Sequence, residues 1–164
     1  KYLSGSKSTK YLAQTSIAVV TILVITINLL NKDVNKEIER FTDQFYSVDS
    51  SEELRMKLEE ALNNGKPTMV YFTADWCVSC RGLERNTFSD QSLQAKVGNI
   101  QALKVDLTDN SSEDQLLIKN YAIFGPPTIL FFDSKGKEQK NRRKIGVVSA
   151  EILKEEIDSL KNKS

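Results

Sequence analysis

Hydrophobic positions form one long uncharged run near the start of the chain and shorter apolar segments after it. Residues 11–31 hold no charged side chain and are apolar all round, without a polar face. As a helix, this run would span roughly 31 Å, which matches the ~30 Å hydrocarbon core of a bilayer. The pattern therefore predicts a transmembrane helix over residues 11–31, after a short flank over residues 1–10. A signal peptide and a buried soluble helix are the alternatives, although no Ala-x-Ala-like cleavage pattern follows the run.

Beyond a charged linker over residues 32–46, the apolar residues alternate between helical and strand spacing. Ser50 and Glu53 fit a capping box in front of a helix, which Asn64-Gly65 ends. Further helices are predicted from Val78, after Ser89-Asp90, after Ser112 and after Ser149. Short apolar runs predict strands over residues 68–73, 100–106, 128–132 and 144–148. This order predicts an α/β domain over residues 47–164, with a parallel sheet, helices on both faces and a final antiparallel strand pair.

Composition narrows the possible functions mainly by exclusion. The chain has 164 residues with 23 basic and 22 acidic side chains, so charge gives no reason to expect a nucleic-acid partner. It contains no histidine, which excludes histidine acid–base catalysis and histidine metal ligands. Two cysteines are too few for a four-cysteine zinc site or a disulfide-rich scaffold, and no metal, flavin or nucleotide site is predicted. Because the chain begins with Lys1 rather than methionine, we expect a processed form or a piece of a longer protein.

Charge is concentrated at one place in the predicted domain. Residues 135–144 carry six basic side chains and a single acidic one, Glu138. Runs of like charge are usually solvated. We therefore expect a solvated turn here, in preference to a docking patch or a contact with lipid headgroups.

Both cysteines lie in one pentapeptide, Trp76-Cys77-Val78-Ser79-Cys80, between a predicted strand and a predicted helix. A helix N-terminus offers unpaired N–H groups and the positive end of the helix dipole, so the pKa of Cys77 is expected to be lowered. The pattern predicts a thiol–disulfide redox site. Cys77 would attack a partner disulfide to form a mixed disulfide, and Cys80, one turn on, would resolve it. An inert structural disulfide or two buried, unreactive thiols are the alternatives.

Two longer motifs carry a family resemblance. The first runs over residues 71–80 and continues with Glu84 and Thr87-Phe88-Ser89-Asp90; the second covers residues 125–133. Together with the order of strands and helices, these motifs resemble the C-terminal thioredoxin-like domain of the DsbD family. Members of that family are bacterial transmembrane thiol:disulfide interchange proteins. The resemblance covers roughly residues 45–162. It implies a thioredoxin-like fold, a central mixed sheet flanked by helices, after one N-terminal transmembrane helix.

The resemblance also implies a location and partners. In that family the domain faces the periplasm at the bacterial inner membrane and takes electrons from a membrane-embedded domain. It passes them to a separate domain that reduces periplasmic thiol–disulfide proteins, including the cytochrome c maturation pathway. The cysteine pair Cys77–Cys80 would serve as its own redox group, without another cofactor.

The second motif implies a partner-binding loop. Pro127 is expected to follow a cis peptide bond, since X–Pro bonds are the usual place for one. In thioredoxin-like proteins this loop, here Pro126, Pro127 and Thr128, faces the cysteines and can pair with an extended substrate. Two loop prolines that merely stop a helix are the alternative. Trp76 is expected to shape the docking surface, or else to be purely structural.

The first motif implies how protons are handled. The family has a glutamate at the position of Glu84, near the buried cysteine, where it would exchange the proton of Cys80; a solvated surface glutamate is the alternative. At Tyr71 the sequence departs from the family, because thioredoxin and many DsbD domains carry a buried aspartate there. Tyrosine is neutral near pH 7, so Glu84 or water must do more. Asp75 is expected to point to the surface and not to replace that aspartate.

These observations predict a membrane-tethered protein-disulfide reductase that relays electrons through Cys77 and Cys80. A standalone membrane-anchored reductase for cytochrome c maturation is an alternative within the same class. A redox-inactive thioredoxin-fold module that binds peptides is the alternative from another class. The direction of electron flow does not follow from the Cys-Val-Ser-Cys sequence alone.

Overall fold

The computed structural model describes residues 19–32 and 44–161, which belong to two separate units. The first unit is a helix over residues 19–32 (α1), and every described residue in it is exposed. The earlier part of the predicted transmembrane segment, residues 11–18, lies outside the described residues. Within the described ranges, no helix has both the length and the apolar content needed to cross a bilayer.

The second unit alternates strands and helices. Its strands are β1 (Tyr46–Val48), β2 (Thr68–Thr73), β3 (Gln101–Asp106), β4 (Thr128–Phe132) and β5 (Lys144–Ile145). Its helices are α2 (Ser51–Asn63), α3 (Val78–Asn86), α4 (Gln91–Val97), α5 (Ser112–Asn120) and α6 (Ala150–Lys161). A single turn of 3-10 helix, Lys140–Arg142, precedes β5.

The sheet has five strands in the order β1-β3-β2-β4-β5. β1, β3 and β2 are parallel, whereas β4 runs antiparallel to β2 and β5 antiparallel to β4. Every residue of β2 and β4 is buried, as expected for continuous apolar strands covered on both faces. The predicted mixed sheet flanked by helices is confirmed. Because Thr128 pairs with Phe72, β4 starts at the end of β2 that leads into the cysteines.

Two hydrophobic clusters fill the two faces of this sheet. Successive residues of a strand point to opposite faces, so Tyr71 and Phe72 belong to different clusters. The cluster that contains Phe72 also contains both cysteines. The Tyr71 cluster is completed by Leu83 of α3 and by apolar residues of α4 and α6. Helix α3 therefore takes part in both clusters and connects the cysteines to the Tyr71 face.

The sheet includes residues that precede the predicted start of the domain at residue 47. Tyr46 begins β1, and Phe45 is buried. The Phe45 ring lies 6.2 Å from the ring of Tyr71 and 5.8 Å from that of Phe88, measured between centroids. The surrounding charges suggested a linker up to residue 46, but aromatic burial decides where the domain begins.

Two local predictions need correction. Helix α5 is capped by Ser111, not Ser112; the Ser111 hydroxyl accepts from the Asp114 N–H, and the Asp114 carboxylate accepts from the Ser111 N–H. The last strand has two residues instead of five. It stops because Gly146 has a positive φ of 84°, a conformation that does not continue an extended strand.

The basic segment over residues 135–144 is only partly a solvated turn. Arg142 and Lys144 both pair with Glu156 on α6, while Arg143 pairs with Glu138. These five side chains are all partly buried. Glu138 lies within the run, five residues before Arg143, whereas Glu156 lies outside it on α6. The run by itself therefore did not reveal the pairing of Arg142 and Lys144.

Candidate redox site

The two cysteines form a disulfide at the start of α3. Cys77 is the N-cap residue, and its Sγ accepts the backbone N–H of Cys80 at 3.1 Å. The two Cα atoms are 5.2 Å apart. Cys77 is 6% exposed and Cys80 only 1%, so Cys77 is the more exposed residue of the pair. Attack from outside can reach Cys77 first.

The surroundings of Cys77 favour a negative charge on its sulfur when the disulfide is reduced. The N-terminal N–H groups of α3 point at the cap position, and the helix dipole adds a positive potential there. The first turn of α3 has no acidic residue. Arg81 follows Cys77 by four residues and donates to the backbone carbonyl of Asp75 in the loop before the cysteine. This arrangement favours a thiolate nucleophile at Cys77.

The cis-proline loop starts β4 at the same end of the sheet. The peptide bond between Pro126 and Pro127 is cis, as predicted. The hydroxyl of Thr128 donates to the carbonyl of Gly125 at 2.6 Å, and the N–H of Gly146 donates to the carbonyl of Pro127 at 2.9 Å. These bonds fix the loop on both sides of the prolines. Its pairing with a partner chain remains a prediction.

Exposed apolar side chains accompany the disulfide. Trp76 and Val78 flank Cys77 and are exposed, and Phe124, which precedes the proline loop, is 89% exposed. The Trp76 Nε1 donates to the carbonyl of Thr108 at 3.3 Å, and the Thr108 hydroxyl accepts from the Asp75 N–H at 2.8 Å. Trp76 is thus held at the surface, where it can contact a partner.

The sequence patterns did not identify Thr108 or Phe124 as residues of the site. Thr108 follows β3, and the carboxyl ends of neighbouring parallel strands meet at one edge of the sheet; that rule could have placed it beside the cysteines. Phe124 could have been noticed as an aromatic residue immediately before the Gly125-Pro126 break.

An acidic cavity of about 490 Å³ lies on the side of Trp76 that Thr108 occupies. It is lined by five aspartates and three hydroxyl residues: Asp49, Asp75, Asp106, Asp109, Asp114, Ser47, Thr108 and Ser111. Asp75 is exposed, as predicted. The carboxylates give this flank of the redox site a negative potential.

Glu84 is tied to β2 and is not a solvated surface residue. Its Oε1 accepts from the Tyr71 hydroxyl at 3.1 Å and from the Thr73 hydroxyl at 3.4 Å. The two hydroxyls are also 3.1 Å apart. On α3, Glu84 follows Cys80 by four residues, so the two side chains are neighbours on one face of the helix. Helix α3 therefore places Glu84 one turn beyond Cys80, and proton exchange between the two remains a prediction.

Tyr71 occupies the position where the family resemblance implies an aspartate. Burial raises the pKa of Tyr71 above its usual value, and the nearby Glu84 raises it further, although the hydrogen bond with Thr73 acts in the opposite direction. The phenol therefore stays protonated at physiological pH. It acts as a hydrogen-bond donor that holds the Glu84 carboxylate, not as a second acid or base.

The fold and the cysteine site together indicate the protein family to which the chain belongs. Residues 54–161 match the sequence model of the thioredoxin-like domain family, and the chain belongs to that family. Among its members it is similar to thiol:disulfide interchange protein DsbD. It is 41% identical to DsbD of Salmonella paratyphi A over 106 residues, which cover 65% of this chain and 18% of that protein. The chain thus spans about a fifth of the length of the curated relatives it matches.

Solved structures agree with this assignment. The oxidised C-terminal domain of DsbD from Neisseria meningitidis superposes with a TM-score of 0.60 at 28% identity, covering 70% of this chain and 98% of that domain. A thioredoxin from Thermus thermophilus superposes with a TM-score of 0.58 at 22% identity, covering 73% of this chain and 89% of the thioredoxin. The latter supports the fold alone. The predicted resemblance to the C-terminal region of DsbD is confirmed.

Proposed function

We propose that this chain is a thiol–disulfide oxidoreductase that works as a protein-disulfide reductase. The observation that carries the proposal is the Cys77–Cys80 disulfide at the N-terminus of α3, with Cys77 as the cap residue and the more exposed residue of the pair. The similarity to DsbD supports the same chemistry. The cysteine pair is the only redox group that the mechanism requires.

The proposed cycle moves two electrons to a partner disulfide. In the reduced state, the Cys77 thiolate attacks one partner sulfur; the partner S–S bond breaks, and the other partner sulfur leaves as a thiolate. The Cys80 thiolate then attacks the Cys77 sulfur of this mixed disulfide. The bond to the partner breaks, its second thiolate is released, and the Cys77–Cys80 disulfide forms. Glu84 accepts the proton that Cys80 gives up before it attacks.

Partner binding in this proposal uses the surface around Cys77. Trp76 provides an exposed aromatic face, and Pro126, Pro127 and Thr128 provide a loop of fixed conformation. An extended partner segment would lie along this loop with its disulfide over Cys77. A membrane-embedded donor domain would return two electrons to the disulfide, and periplasmic thiol–disulfide proteins would receive them.

The proposed location is the bacterial inner membrane, with the redox domain in the periplasm. Support comes from the uncharged run over residues 11–31 and from the family resemblance. The described part of that run, within α1, is helical. Periplasmic placement also suits a disulfide exchange site, since the bacterial periplasm is oxidising.

Two measurements test the proposed activity. The first is the reduction potential of the Cys77–Cys80 pair, from alkylation of free thiols after equilibration in dithiothreitol buffers. We expect a value near that of thioredoxin, about −270 mV, while a value near −120 mV would indicate an oxidase. The absence of any redox-dependent labelling of Cys77 would instead support a redox-inactive binding module.

The second measurement assigns the roles of the two cysteines. Cys80→Ser should accumulate mixed disulfides with partner proteins, because the resolving thiol is lost. Cys77→Ser should accumulate none and should not reduce disulfides. Full reductase activity in the Cys77→Ser protein would overturn the assignment.

A further inference from the structure

Helix α5 ends in a Schellman motif directly before the proline loop. The N–H of Ile123 donates to the carbonyl of Ile118 at 2.9 Å, and the N–H of Ala122 donates to that of Lys119. Glycine usually occupies the left-handed position of this motif, but here it is Ala122, with φ of 49°. A non-glycine residue is disfavoured in this conformation, because its Cβ lies too close to the following carbonyl oxygen. Such a residue persists only where its surroundings fix it.

Arg143, from a different part of the chain, holds Ala122 in this conformation. Its guanidinium donates to the carbonyl of Tyr121 at 2.8 Å and to the carbonyl of Ala122 at 3.0 Å. The same group forms two hydrogen bonds with the carboxylate of Glu138. The two side chains are only 18% and 14% exposed. A cation at a helix C-terminus is also favoured by the helix dipole.

The carbonyls of Tyr121 and Ala122, which Arg143 binds, set the orientation of the next two residues, Ile123 and Phe124. Ile123 is buried in the cluster that contains both cysteines, whereas Phe124 is exposed. Pro126 and Pro127 follow, beside the end of β2 that leads to Cys77. Loss of the Arg143 hydrogen bonds should change the orientation of Phe124 without disturbing the cysteines, because these bonds go to the carbonyls of Tyr121 and Ala122.

We propose that Arg143, held by Glu138, is a positioning residue that sets residues 122–127 so that Phe124 contacts the partner segment bound at the redox site. The inference rests on the proposed function. It extends that function by naming the loop contact through which an extended peptide is recognised. The guanidinium acts on the loop carbonyls and not on the sulfur atoms, so partner recognition should change while thiolate reactivity stays.

The test compares two disulfide probes that react with Cys77 in the same way and release the same leaving group. The first is an extended ten-residue peptide with one cysteine, as its mixed disulfide with 2-nitro-5-thiobenzoate. The second is free cysteine in the same mixed disulfide. Reduced Cys77 attacks the cysteine sulfur of either probe and expels the coloured thiobenzoate thiolate, which is the better leaving group. The ratio of the two second-order rate constants measures the preference for an extended chain.

Arg143→Gln should lower this peptide preference about tenfold, which corresponds to about 1.4 kcal/mol. The rate constant with the cysteine probe should change less than twofold. The reduction potential should remain near that of the unmodified protein. Arg143→Lys, which keeps the charge but cannot reach two carbonyls and Glu138 together, should recover only part of the preference. Phe124→Ala should match Arg143→Gln, and the double variant should fall no further, because both act through one contact.

Arg142→Gln is the matched control. Arg142 is the neighbouring arginine, 21% exposed, and it also pairs with a partly buried glutamate, Glu156, but it donates to α6 and not to the loop. Equal losses of preference in the Arg142 and Arg143 variants would overturn the inference, as would an unmodified protein that does not prefer the peptide. If Cys77 reacts with neither probe, the proposed function itself fails and the inference with it.

Discussion

At the scale of single residues, the most informative position is Tyr71. A phenol there removes one titratable carboxylate from the neighbourhood of the cysteines, and burial keeps the phenol protonated. Its hydroxyl donates to Glu84, whose side chain lies one turn of α3 beyond Cys80. In the proposed mechanism Glu84 receives the proton of Cys80, and its carboxylate is held in place by Tyr71 and Thr73.

Glu84→Gln tests this assignment, because it keeps the shape and the hydrogen bonds of the side chain but removes the base. We expect resolution of a mixed disulfide at Cys77 to slow by at least about tenfold, since general-base catalysis typically increases reaction rates by a factor of 10² to 10⁴. Formation of the mixed disulfide should be unaffected. The two rates are measured by acid quenching and separation of the trapped species. Tyr71→Phe retains the carboxylate but removes one of the two hydroxyls that hold it, so it should slow resolution less than Glu84→Gln does. Equal resolution rates in the Glu84→Gln and unmodified proteins would exclude the role.

At the scale of elements, ion pairs connect the basic segment before and within β5 to α6. Glu156 of α6 accepts from Lys144 Nζ and Arg142 Nη1, both at 2.6 Å. Partial burial opposes ionisation of Glu156, but the hydrogen bonds from Lys144 and Arg142 outweigh it and lower the pKa of Glu156. These bonds hold α6 against the edge of the sheet that also carries Gly146 and the proline loop.

The pKa of Glu156 sets a pH dependence of folding. Because its folded-state pKa is lowered from 4.5, its contribution to the free energy of unfolding is present above 4.5 and is lost as pH falls through the lower folded value. Glu156→Gln should destabilise the protein by about 1–2 kcal/mol at pH 7, between the values for exposed and buried pairs. Urea unfolding should show this difference narrowing below pH 4.5. A difference that stays constant down to pH 3 would contradict this account.

At the scale of the whole chain, α1 bears on where the redox domain works. All its described side chains are exposed, and most are large and apolar. Two of its polar side chains bond within the helix: the Thr26 hydroxyl donates to the carbonyl of Leu23 and the Asn28 amide to that of Val24, both at 2.8 Å. Internal satisfaction of polar groups is what a hydrocarbon environment demands.

Vesicle flotation tests the proposed membrane attachment. The full chain should float with phospholipid vesicles, and Leu23→Lys combined with Val24→Lys should release it, because each lysine at the centre of a span costs about 2.5–3.5 kcal/mol. The matched control is Met56→Lys combined with Leu116→Lys, two exposed apolar residues of the redox domain. Release of both double variants, or of neither, would contradict attachment through residues 11–31.

The sequence by itself determined the features that depend on near neighbours. Cys77 and Cys80 lie one helical turn apart at a strand-to-helix junction, Glu84 follows one turn later, and the bond before Pro127 belongs to the type most often found cis. The spacing of Cys77, Cys80 and Glu84 along one helix follows from pattern alone, whereas Pro127 as the cis position and the role of Glu84 rested on the family resemblance. The alternation of strands and helices followed in the same way.

Only the tertiary structure decided which distant groups meet. Arg143 reaches carbonyls 21 and 22 residues away, and Phe45 is buried against Tyr71 and Phe88 despite its charged surroundings in sequence. Such contacts depend on the order of strands in the sheet and on the burial it creates. No periodicity along the chain encodes them, because they join elements that are adjacent in space and separated in sequence.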